Sequence, residues 1–210
     1  SFQIHAVSTF AVIALVFVLF GFHRYEFQYI WKHLNNAMPM RFILSAFWGG
    51  QEGGFLLWMF WHNVLGLILL RKTTKWTGPA MATLSGIQVF LTSMILGIYF
   101  GEFQLGLDPF LLLRDAPQYA GLPWTARADY LTAFPLFADG QGLNPLLQNY
   151  WMTIHPPTLF LGFAATSVPF AYAIAGLTNR EDRSWMRPAL RWSFFTIGIL
   201  GTGILMGGAW

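Results

Sequence analysis

Residues 156–177 read PPTLFLGFAATSVPFAYAIAGL: no charged side chain, two prolines at the start, and the polar run TNREDR immediately after. A helix that crosses the hydrocarbon core of a bilayer needs about 20 mostly apolar residues. This stretch meets that requirement, and proline costs little where a helix begins, because the missing N–H has no partner there anyway. Four more stretches read the same way. Ile4 to Phe22 ends at His23-Arg24, with no cleavage signature to mark it as a signal peptide. Gly53–Leu70 stops at Arg71-Lys72, Pro79–Phe100 stops before Glu102, and a last run from Trp192 is still apolar at Trp210. The spacing therefore predicts an all-α, polytopic membrane protein with about five transmembrane helices, at 4–22, 53–70, 79–100, 156–177 and 192–210.

Composition agrees. Of 210 residues, 55% are hydrophobic and 10% charged, with 38 aromatics and a mean hydropathy of +0.49. Soluble domains carry about 25% charge, and disordered chains need low hydrophobicity. Both classes are excluded. Zero Cys removes disulfides, thiolate metal sites and cysteine nucleophiles. The net charge of +3 is explained by topology. Loops 71–78 and 178–191 hold seven of the twelve basic residues, among them Lys72 and Arg180. Positive loops stay in the cytoplasm, so loops 23–52 and 101–155 face outward. No basic–aromatic patch points to nucleic acid, and the motifs of phosphate-binding loops, serine hydrolases and zinc proteases are absent.

The outer loops carry the unusual features. Phe42–Trp48 is apolar but too short to span, which predicts a helix lying at the interface. Loop 101–155 alternates Pro and Asn turn signals with leucines, and a structureless loop of that length is uncommon. It reads as short interfacial helices. His155 stands directly before Pro156-Pro157, which exclude a normal helix ahead of them and fix the backbone presenting the imidazole. A neutral imidazole ligates transition metals and haem iron; the competing reading is an interfacial histidine hydrogen-bonded to its loop. Tyr150, Trp151 and Asn149 lie within six residues of it. The segment WGGQEGG (48–54) puts four glycines around Gln51 and Glu52, either to let a ligand approach the backbone or to let Glu52 sit at a helix N-terminus. His62 falls midway along its span; a neutral His bonded to a neighbouring helix, with Asn63 beside it, competes with a functional role. His5, His23 and His33 sit near span ends or in a loop and take no role. Gly198, Gly201, Gly203 and Gly207 give the last span a small face for helix packing.

Three motifs then occur in order: WGGQEGGFLLW (48–58), DPFLLLRDAP (108–117) and GLNPLLQNYWMTIHPPTLFLGF (142–163). On them, the chain resembles the CcmF-type haem lyases of cytochrome c maturation, in the tryptophan-rich haem-handling superfamily. The resemblance implies a multi-pass protein of the cytoplasmic (inner) membrane and part of a holocytochrome c synthase. It would take haem from a periplasmic haem chaperone, hold it non-covalently as a b-type haem, and join it to the C-x-x-C-H motif of apocytochrome c. Other maturation subunits and the lipid bilayer complete the implied partners. His155 maps onto the first of the family's two outer haem-ligating histidines. Asn149, Tyr150 and Trp151 would shape the pocket edge, with Gln51 and Glu52 close by. Gly54 stands where the family often has Ser, and Gln51 where His is an alternative. The family's first span, its tryptophan-rich segment, its second outer histidine and its intramembrane ligands would lie beyond this sequence, so the chain is expected to be about the amino-terminal third of a longer protein. A haem exporter without lyase activity, or an aromatic-rich structural subunit of a respiratory complex, are the alternatives.

Overall fold

A computed structural model describes residues 1–71, 74–101, 103–179 and 183–210; Lys72, Glu102 and Arg180 lie outside the described residues. The chain is helical. Helices α1 (Phe2–Gly21), α4 (Gln51–Leu70), α5 (Thr77–Ser93), α7 (Tyr150–Asn179) and α8 (Met186–Ala209) form the bundle, and α1, α4, α7 and α8 are each long and apolar enough to cross a membrane. Consecutive bundle helices alternate in direction, so segments 22–50 and 94–149 share one face, called here the long-loop face. Helices α7 and α8 pair closely, and α4 packs against α1, α5 and α7.

The third span is shorter than the sequence suggested. Expected over 79–100, the helix closes at Ser93, and Ile98–Phe100 and Phe103–Leu105 form a small antiparallel pair, β1 and β2. The reason is local. Gly97 takes a φ of +60°, a left-handed backbone that a helix cannot continue through. At 1.5 Å per residue the 17 residues of α5 reach about 26 Å, a little under the hydrocarbon thickness.

The prolines of α7 are the second correction. The helix begins at Tyr150, two turns early, and runs through Pro156, Pro157 and Pro169. A proline inside a helix leaves the carbonyl four residues back without its N–H. Pro156 orphans the Met152 carbonyl, and the Trp48 indole N–H donates to it at 2.8 Å. Pro169 orphans the Ala165 carbonyl, and the Thr196 hydroxyl of α8 donates to it at 2.9 Å. For Pro156 and Pro169, neighbouring elements thus supply what the proline removes, the condition under which proline is tolerated in a membrane helix. The last helix likewise begins earlier than Trp192, at Met186.

The long-loop face is a packed layer. Helices α2 (Gln28–His33) and α3 (Met40–Ala46) come from the first segment, and Phe42, Ile43, Ala46 and Phe47 are buried in the core, not laid flat on a bilayer surface. The second segment holds the β pair, four single 3-10 turns and the four-residue α6 (Tyr130–Ala133), in place of the expected interfacial helices. Proline starts three of those turns (117–119, 135–137 and 145–147), and its fixed φ suits a turn while blocking extension. Backbone bonds from Gln28 N–H to Leu111, Leu113 N–H to Glu26, Gln141 N–H to Trp31 and Gly142 N–H to Leu34, at 2.7–3.1 Å, clip the two segments together. Asp139 completes the clip: one carboxylate oxygen accepts from Tyr25 O–H at 3.2 Å, Asn36 N–H at 2.7 Å and Gly140 N–H at 2.8 Å. Burial, and then the nearby Asp139 charge, push the Tyr25 phenol well above its usual range.

Candidate functional site

The segment 48–54 enters α4 pressed against its surroundings. A Cβ at Gly49 would come 2.9 Å from the Leu143 side chain, one at Gly50 would come 2.8 Å from the His33 and Tyr29 rings, and one at Gly53 would overlap the Phe47 carbonyl. Tyr29 is buried beneath this turn; its hydroxyl donates to the Phe47 carbonyl and accepts from Gly53 N–H at 3.1 Å. Burial pushes the Tyr29 phenol well up, reinforced by the charge of Glu52. Three of the four glycines therefore answer to protein packing, and Gly54 answers to the Phe160 ring at 3.4 Å.

Above them lies a groove of about 290 Å³, lined by Trp48, Gly49, Gly50, Gln51, Gly54, Phe55, Trp58 and Phe160. Its walls are aromatic rings from α4 and α7; Trp58 stands 6.1 Å from Phe160 and 5.7 Å from Phe163, centroid to centroid. Gln51 is the side chain among the expected site residues that enters this groove. Glu52, half-buried in the first turn of α4, sits by Tyr29, where its carboxylate meets the positive helix N-terminus.

His155 lies around α7 from Phe160, facing α8. Its imidazole rests on Gly207, where a Cβ would come 2.8 Å from Cε1 and 3.2 Å from Nε2, and meets the Trp210 ring at 5.6 Å and 74°. The ring is half-buried, and Nδ1 is shielded from solvent without a hydrogen-bond partner among the described residues. The expected loop hydrogen bond is thus absent at Nδ1. Tyr150 is exposed at the rim, in edge contact with Trp151 at 5.9 Å. Asn149 holds the start of α7: its Oδ1 accepts from Met152 N–H at 3.2 Å, capping the helix, while Nδ2 donates to the Leu146 carbonyl at 2.8 Å. The structure thus joins the two motifs through Trp48 and Met152, sets Gln51 in the groove, and places His155 on the neighbouring face of the same helix.

Reading the residues one by one missed three participants. Trp48, Trp58 and Phe160 carry no assigned role in the sequence; the usable signal for Trp48 is Pro156, which leaves the Met152 carbonyl in need of an outside donor. His33, given no role, packs on Gly49 and Gly50 with Nδ1 2.9 Å from the Tyr29 carbonyl, and burial lowers its pKa. His62 departs from expectation in the other direction. It and Asn63 are buried, yet none of their four polar side-chain atoms has a partner among the described residues; the His62 ring meets Trp58 edge-on at 6.3 Å. Gly203 and Gly207 do face α7, against Leu159 and His155, and Gly162 faces Leu200, whereas Gly198 and Gly201 have open space beside them.

Fold and site together define a polytopic helical membrane protein with an aromatic groove and a proline-framed imidazole on one face. The chain belongs to the cytochrome C assembly protein family, matched over residues 48–210. It is similar to the cytochrome c-type biogenesis proteins CcmF of Haemophilus influenzae (31% identity over 199 residues, 94% of this chain and 27% of that one) and of Escherichia coli (31% over 202 residues, 96% and 27%). Cytochrome c-type biogenesis protein NrfE of Haemophilus influenzae is 26% identical over 207 residues, 94% of this chain and 28% of that one. The chain spans about a quarter of the length of the CcmF relatives. No solved structure matches.

Proposed function

We propose that this chain is the part of a cytochrome c haem lyase that holds haem at the outer face of the cytoplasmic membrane while it is attached to apocytochrome c. Family membership supports a role in cytochrome c maturation. The single observation that carries the finer reading is His155: an imidazole directly before Pro156 and Pro157, beside Trp210, with an Nδ1 that is shielded and has no partner among the described residues, on the helix face neighbouring the aromatic groove. Those residues fit an iron ligand, since neutral imidazole nitrogen and flanking aromatic rings are what a b-type haem takes from a protein. On this reading the positively charged short loops are cytoplasmic and the long-loop face is periplasmic.

Haem is the substrate, delivered by a haem chaperone. Its vinyl C=C bonds accept the S–H of two apocytochrome cysteines, so each step forms one C–S and one C–H bond and consumes no oxidant. The residues of this chain position. His155 would offer the iron an imidazole nitrogen, and Gly207, lacking a Cβ, makes room for the ring. Trp48 fixes the first turns of α7 through Met152, and so the depth at which His155 is presented. Gln51 offers amide donor and acceptor groups at the groove rim. Exposed Tyr150, with half-buried Trp151 against it, would form the edge where an incoming polypeptide and other maturation subunits meet the site.

The test is cytochrome c assembly in cells carrying the full-length protein. His155→Ala is expected to cut covalently haem-stained cytochrome c at least tenfold at unchanged protein level. Normal assembly in that variant refutes the assignment.

A further inference from the structure

The end of the bundle opposite the long-loop face holds a second cleft of about 290 Å³ between α4, α7 and α8. Its apolar wall comes from Ile68 and Leu69 in the last turn of α4 and Pro188 in the first turn of α8. Three side-chain donors line it, and none has an acceptor among the described residues. Tyr172 of α7 is 6% exposed, yet its hydroxyl is neither hydrogen-bonded nor fully shielded. The Trp192 indole N–H is in the same situation, its ring held edge-on to Phe195 at 5.6 Å. Arg191 is exposed and takes part in no ion pair among the described residues. The Thr74 hydroxyl, also at the cleft, is already engaged: it accepts from Trp76 N–H at 3.3 Å and lies 3.2 Å from the Thr77 hydroxyl. Among the described residues no carboxylate lines the cleft.

Positive charge gathers at the same place. Arg187 and Arg191 lie in the first two turns of α8, where the helix dipole disfavours cations, and that first turn holds no acidic residue. Unpaired donors beside positive charge select an anion, and guanidinium, indole N–H and phenol O–H all donate well to phosphate oxygen. The apolar wall narrows the choice. A free anion would leave Ile68, Leu69 and Pro188 uncovered, whereas a phospholipid covers them with the first carbons of its tails. Its phosphate then stays at the level of the helix ends, where basic side chains meet anionic headgroups. We propose that this cleft binds the headgroup of an anionic phospholipid, with the phosphate oxygens accepting from Arg191, Trp192 and Tyr172. The inference is independent of the haem reading, since it concerns other residues at the other end of the bundle.

The experiment titrates the purified full-length protein in detergent with dioleoyl phosphatidylglycerol and counts bound lipids by native mass spectrometry. One lipid is expected to bind distinctly more tightly than those that follow. Arg191→Gln is expected to weaken that first binding about tenfold, and Tyr172→Phe, which keeps the ring and removes only the hydroxyl, about threefold. Arg183→Gln removes an exposed charge outside the cleft and is expected to change it less than about twofold. Dioleoyl phosphatidylcholine, whose own cation offsets its phosphate, is expected to bind more weakly, and excess inorganic phosphate is expected to leave the bound lipid in place. Unchanged gel-filtration profiles confirm that the variants are folded. Equal weakening by Arg191→Gln and Arg183→Gln would make the effect one of diffuse surface charge and overturns the proposal. Equal affinity for phosphatidylcholine, or displacement of the lipid by inorganic phosphate, overturns it as well.

Discussion

Replacing Trp48 by Phe removes one N–H while keeping an aromatic ring at the groove. In the native chain that N–H is the donor, at 2.8 Å, to the Met152 carbonyl that Pro156 leaves without its helical partner. Losing the partner of a shielded carbonyl costs about 1–3 kcal/mol. Taking about 2 kcal/mol, the folded-to-unfolded ratio falls roughly 30-fold, with a smaller addition from lost ring volume. Pro156→Ala changes the arithmetic. Alanine restores the N–H, so the helix satisfies Met152 from within and the indole becomes redundant. Trp48→Phe is then expected to cost below about 1 kcal/mol, and the two changes should couple by at least about 1 kcal/mol in a double-mutant cycle. The assay is reversible denaturation of the full-length protein in detergent micelles, followed by tryptophan fluorescence and by protease resistance of α7. Equal costs of Trp48→Phe in both backgrounds would refute the claim that the indole exists to serve the proline.

Other expectations follow from the same geometry. Thr196→Val should cost about 1–2 kcal/mol because the Ala165 carbonyl loses its donor, and Pro169→Ala should recover most of it in the same denaturation assay. Gly203→Val should separate α7 from α8, since a Cβ there comes 2.9 Å from the Leu159 backbone, at about 1–3 kcal/mol; Gly201→Ala, with open space, should change stability by less than about 0.5 kcal/mol. His33 has a folded-state pKa below its unfolded value, because burial disfavours the charged ring. Its unfolded form therefore takes up the proton first, and its contribution, full above about pH 6.5, is lost as pH falls through the folded-state value. Stability measured from pH 7.5 to 5 should decline, and His33→Gln should flatten that decline.

Legibility differed between the two scales. The runs 4–22, 53–70 and 156–177 could be read as helices because an apolar stretch of that length has one low-cost conformation in a bilayer. Helix ends could not. Pro156 and Pro157 looked like a start because local rules see only the lost N–H, whereas the donor that offsets it is Trp48, more than a hundred residues away. Residues 94–100 looked like a continuing span because hydropathy ignores the positive φ that Gly97 adopts. At the site, His155 stood out by its prolines, and Gln51 by its glycines. The groove walls did not, since Trp58 and Phe160 are indistinguishable in sequence from the many aromatics that face lipid.

Everything proposed for the site depends on His155 being an iron ligand. Absorbance spectra of the purified full-length protein, oxidised and reduced, test this most directly. His155→Gly is expected to lose or shift the haem bands at unchanged fold, and added imidazole is expected to restore them by occupying the space beside Gly207. Wild-type bands in His155→Gly without imidazole would contradict it.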